Sequence, residues 1–153
     1  MSFIASGAAP AEDTLSNTAF WPELSVDAFR TSMRVDSVTT PERARHALSI
    51  ALVEANRRLS PWQQTQQAAG YETLADVPPR PELPEGSLER LYLSAVWCLA
   101  KATLIERYRD YDTTHQGQTN DADAPDIAAD YRRDASWAIS DLTGERRTTV
   151  ELI

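Results

Sequence analysis

At 153 residues and a formal net charge of −8, the chain has the size of one domain with a short tail at each end. A domain of this size buries roughly 70% of its unfolded surface, so it needs no metal or disulfide staple, and its single cysteine, Cys98, cannot form an internal one. The acidic balance repels phosphate backbones and excludes a general nucleic-acid binder, while no apolar run approaches the ~20 residues of a membrane span.

Residues 1–19 are rich in Ala, Ser, Thr, Gly and Pro, carry no repeating apolar face, and read as a flexible arm. Met1 to Ala11 lacks the basic and apolar regions of a secretory signal. Phe20 and Trp21 then precede Pro22, which drives Trp21 into an extended conformation. Extended aromatics ahead of a helix dock onto a surface, either the chain's own core or a partner. Ser25 is placed to cap a short helix in which Val26, Phe29, Arg30 and Met33 share a face.

Thr40-Pro41-Glu42 supplies an N-cap, a first-turn proline and an acid, and opens a helix to about residue 59. Its apolar stripe is Ala44, Ala47, Leu48, Ala51, Leu52, Ala55 and Leu59. Ser60-Pro61 repeats the cap-and-proline pattern and predicts a separate short helix, which Gly70 ends in a left-handed conformation. Four prolines between residues 71 and 86 make a stiff connector, with Tyr71, Leu74 and Val77 pinning its first half.

Ser87 is placed to cap the longest predicted helix, 88–110, about 33 Å long at 1.5 Å per residue. Its middle, Leu91 to Ala102, is apolar on nearly all sides, the mark of a central helix covered by others. Residues 112–124 are polar and read as a loop. Pro125 starts a last helix, with Ile127, Ala128, Tyr131, Ala135, Ala138, Ile139 and Leu142 inside and Gly144 at its end. Residues 147–153 alternate in a strand-like pattern without an evident strand partner. The expected architecture is therefore all-α, a small bundle of four to five helices over residues 20–146. An arm over 1–19 precedes it, and a short β tail over 147–153 follows it.

No residue pattern points to catalysis. The five glycines are dispersed, so no phosphate-cradling loop exists. His46 and His115 lie far apart, and neither begins a metal-binding pair. Asp121, Asp123 and Asp126 fail the calcium-loop pattern, because Pro125 takes its fifth position and Arg132 stands where the bidentate acid belongs. Cys98 lies in an apolar helix and reads as inert packing. The predicted catalytic, metal and cofactor sets are all empty. The pairs Arg57–Arg58, Arg132–Arg133 and Arg146–Arg147 read as solvated faces or ion-pair members.

Four tryptophans are many for this length. Trp97 and Trp137 fit core positions, whereas Trp21 and Trp62 stand at element starts and are interface candidates. With Phe20 and the tail residues Thr148, Val150, Leu152 and Ile153, they make up the predicted interaction set.

Several stretches resemble one family when taken in order. They are Asn17-Thr-Ala-Phe-Trp-Pro22, Arg30 with Met33-Arg34, Ala69-Gly-Tyr-Glu-Thr-Leu-Ala-Asp-Val-Pro78, Ala102 to Arg109 with Asp112, Trp137-Ala138, and the alternating C-terminus. Together, over about residues 17–153, they are similar to the head completion (head stabilisation) proteins of temperate contractile-tailed bacteriophages. That resemblance implies a non-enzymatic protein without cofactor, a helical head–tail connector in the virion neck that assembles in the host cytoplasm. It implies a ring of copies, twelvefold like the portal, bound below the portal protein and docking a tail terminator or tail-completion protein. Packaged DNA would pass through the ring without sequence-specific binding, and no membrane is involved. A small helical hydrolase of muramidase type and an acidic, DNA-mimicking regulatory module are the alternative readings.

Overall fold

Thr40-Pro41-Glu42 does open a helix: the Thr40 hydroxyl accepts a bond from the Arg43 amide at 3.3 Å, and Pro41 is the first helical residue. In the computed structural model, which describes residues 13–108 and 124–147, four α-helices and one two-stranded sheet form the fold. In chain order these are β1 (Thr14–Leu15), β2 (Leu24–Ser25), α1 (Val26–Ser32), α2 (Pro41–Ala68), α3 (Ser87–Tyr108) and α4 (Ala124–Thr143), with a 3-10 turn over Leu74–Asp76. The mostly helical expectation holds. The β tail expected over 147–153 and the polar loop over 112–124 fall largely outside the described residues.

The helix expected to end near residue 59 runs on through Pro61 to Ala68, so two predicted helices are one. Pro61 removes one backbone donor, but it is exposed, and burial on both sides of it holds the helix together. Leu59 is fully buried just before it, and Trp62 packs on the core just after it. The helix ends at Ala69, and Gly70 adopts the left-handed φ of +99°.

α3 is the central helix, flanked by α4 and α2. Tyr92, Ala95, Val96, Leu99, Ala100 and Ala102 are at most 1% exposed, as an all-round apolar helix requires. Alanines 44, 47, 51 and 55 line the buried stripe of α2, and their small size lets helices approach closely. On α4 the predicted inner face is buried at Ala128, Ala135, Ala138, Ile139 and Leu142, but Ile127 is 46% exposed, beyond the reach of the core.

The chain joins this body earlier than the arm reading implied. Thr14 and Leu15 pair antiparallel with Ser25 and Leu24, and Arg45 forms an ion pair with Asp13. At the far end, Arg80 donates to the carbonyls of Leu142, at 3.1 Å, and Asp141. This places a cation at the C-terminus of α4, where the helix dipole favours it.

Candidate assembly surfaces

Residues 17–22 pack against α2 and α3 through a tight turn, in which the Trp21 amide donates to the Thr18 carbonyl at 3.0 Å. The Asn17 amide donates to the Tyr92 hydroxyl at 2.8 Å and to the Pro22 carbonyl at 2.9 Å. Tyr92 donates to the Asn56 side-chain oxygen at 2.7 Å, and the Asn56 amide nitrogen donates to the Asn17 side-chain oxygen at 2.9 Å. The result is a closed polar ring linking the entering segment, α2 and α3, in which each bond polarises the next. Burial pushes the Tyr92 hydroxyl pKa up to about 12, so it remains a proton donor across the physiological range.

Beside that ring, Trp21 stacks on Tyr92 with ring centroids 4.5 Å apart, and on Trp62 at 6.2 Å. Phe20 meets Trp21 edge-on at 4.8 Å. The Trp21 indole donates to the Gln63 side chain at 3.0 Å. Phe20 and Trp21 are 2% and 4% exposed, held in a turn rather than the expected extended conformation, and they pack on the chain's own core. Trp62, beside them, remains half-buried.

The 3-10 turn covers this cluster. The Leu74 amide donates to the Phe20 carbonyl at 2.8 Å, and Asp76 accepts from both the amide and the hydroxyl of Thr73. Those bonds, the hydroxyl's first, hold the Asp76 carboxyl below its ordinary pKa. A shallow groove of about 210 Å³ remains between residues 19–22 and the turn, with Glu89 at its side.

At the other chain end, Arg147 binds Asp141 through two hydrogen bonds of 3.1 and 2.5 Å. Its guanidinium also lies 5.0 Å from the Trp137 ring centroid, and that of Arg133 lies at 4.8 Å. The start of the C-terminal segment is thereby latched to α4. Thr148, Val150, Leu152 and Ile153 lie outside the described residues. Trp97 and Trp137 are half-buried rather than fully internal. The sequence gives no sign of the clasp around Asn17, because its partners Asn56 and Tyr92 lie 39 and 75 residues away.

Among the described residues no group of three or more His, Cys, Asp or Glu is placed to hold a metal, and no helix is long and apolar enough to cross a membrane. Cys98 is 8% exposed and burial pushes its thiol pKa up, the opposite of what a nucleophile needs. His46 is exposed. The basic pairs are largely engaged: Arg58 with Glu54 and Ser136, Arg132 with Glu106, Arg133 with Asp130, and Arg147 with Asp141.

Residues 15–153 match the family described as phage head completion protein (GPL). The chain is also 34% identical over 143 residues to the head completion/stabilization protein of Escherichia phage P2, covering 93% of this chain and 84% of that protein. No solved structure matches it. The chain therefore belongs to the phage head completion protein family, whose members are structural proteins and not enzymes.

Proposed function

We propose that the protein assembles as a ring below the portal of the DNA-filled head, closing the head and presenting the surface on which the tail docks. The observation that carries this reading is the family match, which runs to Ile153 and so includes the alternating C-terminal segment. A helical body tied to its entering segment by the Asn17, Tyr92 and Asn56 hydrogen bonds suits a part wedged between two larger assemblies. The ring is twelvefold, in register with the portal, and its further partner is a tail terminator or tail-completion protein.

The C-terminal segment is the proposed grip. Thr148, Val150 and Leu152 alternate with Thr149, Glu151 and Ile153, so a strand formed there carries a different face on each side. Added to a sheet edge of the portal protein or of an adjacent copy, its main chain supplies affinity and its side chains register. Trp62 is the proposed aromatic contact on the body. Packaged DNA passes without sequence-specific contact, and the excess of carboxylates keeps it from adhering.

Deleting residues 148–153 tests the grip. The truncated protein is expected to unfold at the same temperature as the full chain and to fail to bind purified portal-bearing heads in co-sedimentation. Full binding by the truncated protein rules out the strand as the attachment.

A further inference from the structure

The last turn of α4 carries the wrong charge for its position. It holds no basic residue, and Asp141 sets a carboxylate at the negative end of the helix dipole. The cations that answer it come from elsewhere in the chain. Arg80, from the connector, caps the Leu142 carbonyl, and it lies so close that a Cβ on Gly144 would stand 3.0 Å from its guanidinium. Gly144 turns the chain there with a φ of +80°, a backbone and a proximity that only glycine meets without strain.

Arg147 then reaches back to α4. It meets both carboxylate oxygens of Asp141 and lies over Trp137, one helical turn earlier. Arg133, a further turn back, covers the same ring and is itself paired with Asp130. One face of α4 thus receives a single residue of the tail. The neighbouring Arg146 is exposed and has no such contact among the described residues.

The Arg147 and Asp141 side chains are 50% and 35% exposed, and exposed ion pairs add little to folding stability. The consequence of the contact falls instead on the chain it holds. From Arg147, residues 148–153 span about 20 Å when extended, whereas residues 145–153 hung from Gly144 would sweep about 30 Å. Holding Arg147 therefore confines both the origin and the reach of the segment, which lowers the ordering cost when it binds.

We propose that the contact of Arg147 with Asp141 and Trp137 aims the C-terminal segment, making Arg147 a positioning residue for attachment to the head. The inference rests on the reading of residues 148–153 as the grip, and adds that the grip works from a fixed origin on α4. The latch stays closed in the attached state.

Co-sedimentation of purified variants with portal-bearing heads, at one salt concentration, tests it. Arg147→Ala and Asp141→Asn are each expected to bind about tenfold more weakly at an unchanged melting temperature, because the freed residues must be ordered again on binding. Arg146→Ala removes the same charge without touching the latch and is expected to bind like the parent. Arg147→Glu and Asp141→Arg are each expected to weaken binding, and both in one chain to recover most of the loss.

Loss in Arg147→Ala without loss in Asp141→Asn assigns the arginine to the partner and overturns the latch. Equal weakening by Arg146→Ala overturns it too, as does a double reversal no better than either single one. Tighter binding by Asp141→Asn would make the contact a restraint on the tail, and also overturns the proposal. Parental binding by the latch variants, when the chain lacking residues 148–153 fails to bind, overturns the inference and leaves the grip intact. Full binding by that truncated chain overturns both.

Discussion

Trp21 and Tyr92 lie face to face, their ring planes 9° from parallel, so a residue of the entering segment and one of the central helix share a single buried contact. Around it, aromatic packing and the Asn17–Tyr92–Asn56 ring act on the same joint. Removing the indole leaves a large hole under Trp62 and Phe20. Trp21→Ala is expected to destabilise the fold by about 3–5 kcal/mol, read as a lowered midpoint in urea unfolding.

Tyr92→Phe keeps the stack and deletes the hydroxyl. Asn17 then loses an acceptor and Asn56 a donor in a partly buried site. The expected cost is about 1–3 kcal/mol with little change in the slope of the unfolding curve.

The same residue sets an alkaline limit. Its folded pKa, about 12, lies above the ordinary value of 10.0, so the folded state holds this proton more tightly. The associated stability is complete below pH 10 and is lost as pH rises from about 10 to 12, amounting to about 2–3 kcal/mol. Unfolding midpoints measured across that range should fall in the parent protein, with a smaller fall in Tyr92→Phe.

Pro61 interrupts the hydrogen-bond ladder of α2 from an exposed position. Pro61→Ala restores a donor and removes a clash with the preceding turn. It is expected to stabilise the protein by about 1–3 kcal/mol, measured by thermal unfolding.

Arg34 occupies the left-handed region at φ 47°, where it ends α1. The amide of Val35 reaches the Arg30 carbonyl at 2.9 Å, and that of Arg34 reaches the Thr31 carbonyl at 3.3 Å. Glycine meets this geometry without strain, so Arg34→Gly is expected to raise stability by about 0.5–1 kcal/mol, whereas the β-branched Arg34→Val is expected to lower it.

Much of the fold was legible in the sequence because its signals are local. Thr40-Pro41 and Ser25 act within one turn, Gly70 and Gly144 end helices by their backbone freedom, and the apolar run of α3 marks a central helix whatever surrounds it. Pro61 misled because its helix is held by burial at Leu59 and Trp62, contacts with residues distant in the chain. The short two-stranded sheet and the Asn17 ring were illegible for the same reason: Thr14 needs Ser25, and Asn17 needs residues 56 and 92, before either has a partner.

The chain belongs to the head completion family, and the portal vertex is where it is proposed to act. Electron microscopy of particles from a phage lacking the protein tests that proposal most directly. Capsids are expected to package DNA, fail to retain it and carry no tails, with free tails accumulating beside them. Intact, DNA-filled and tailed particles in its absence would contradict it.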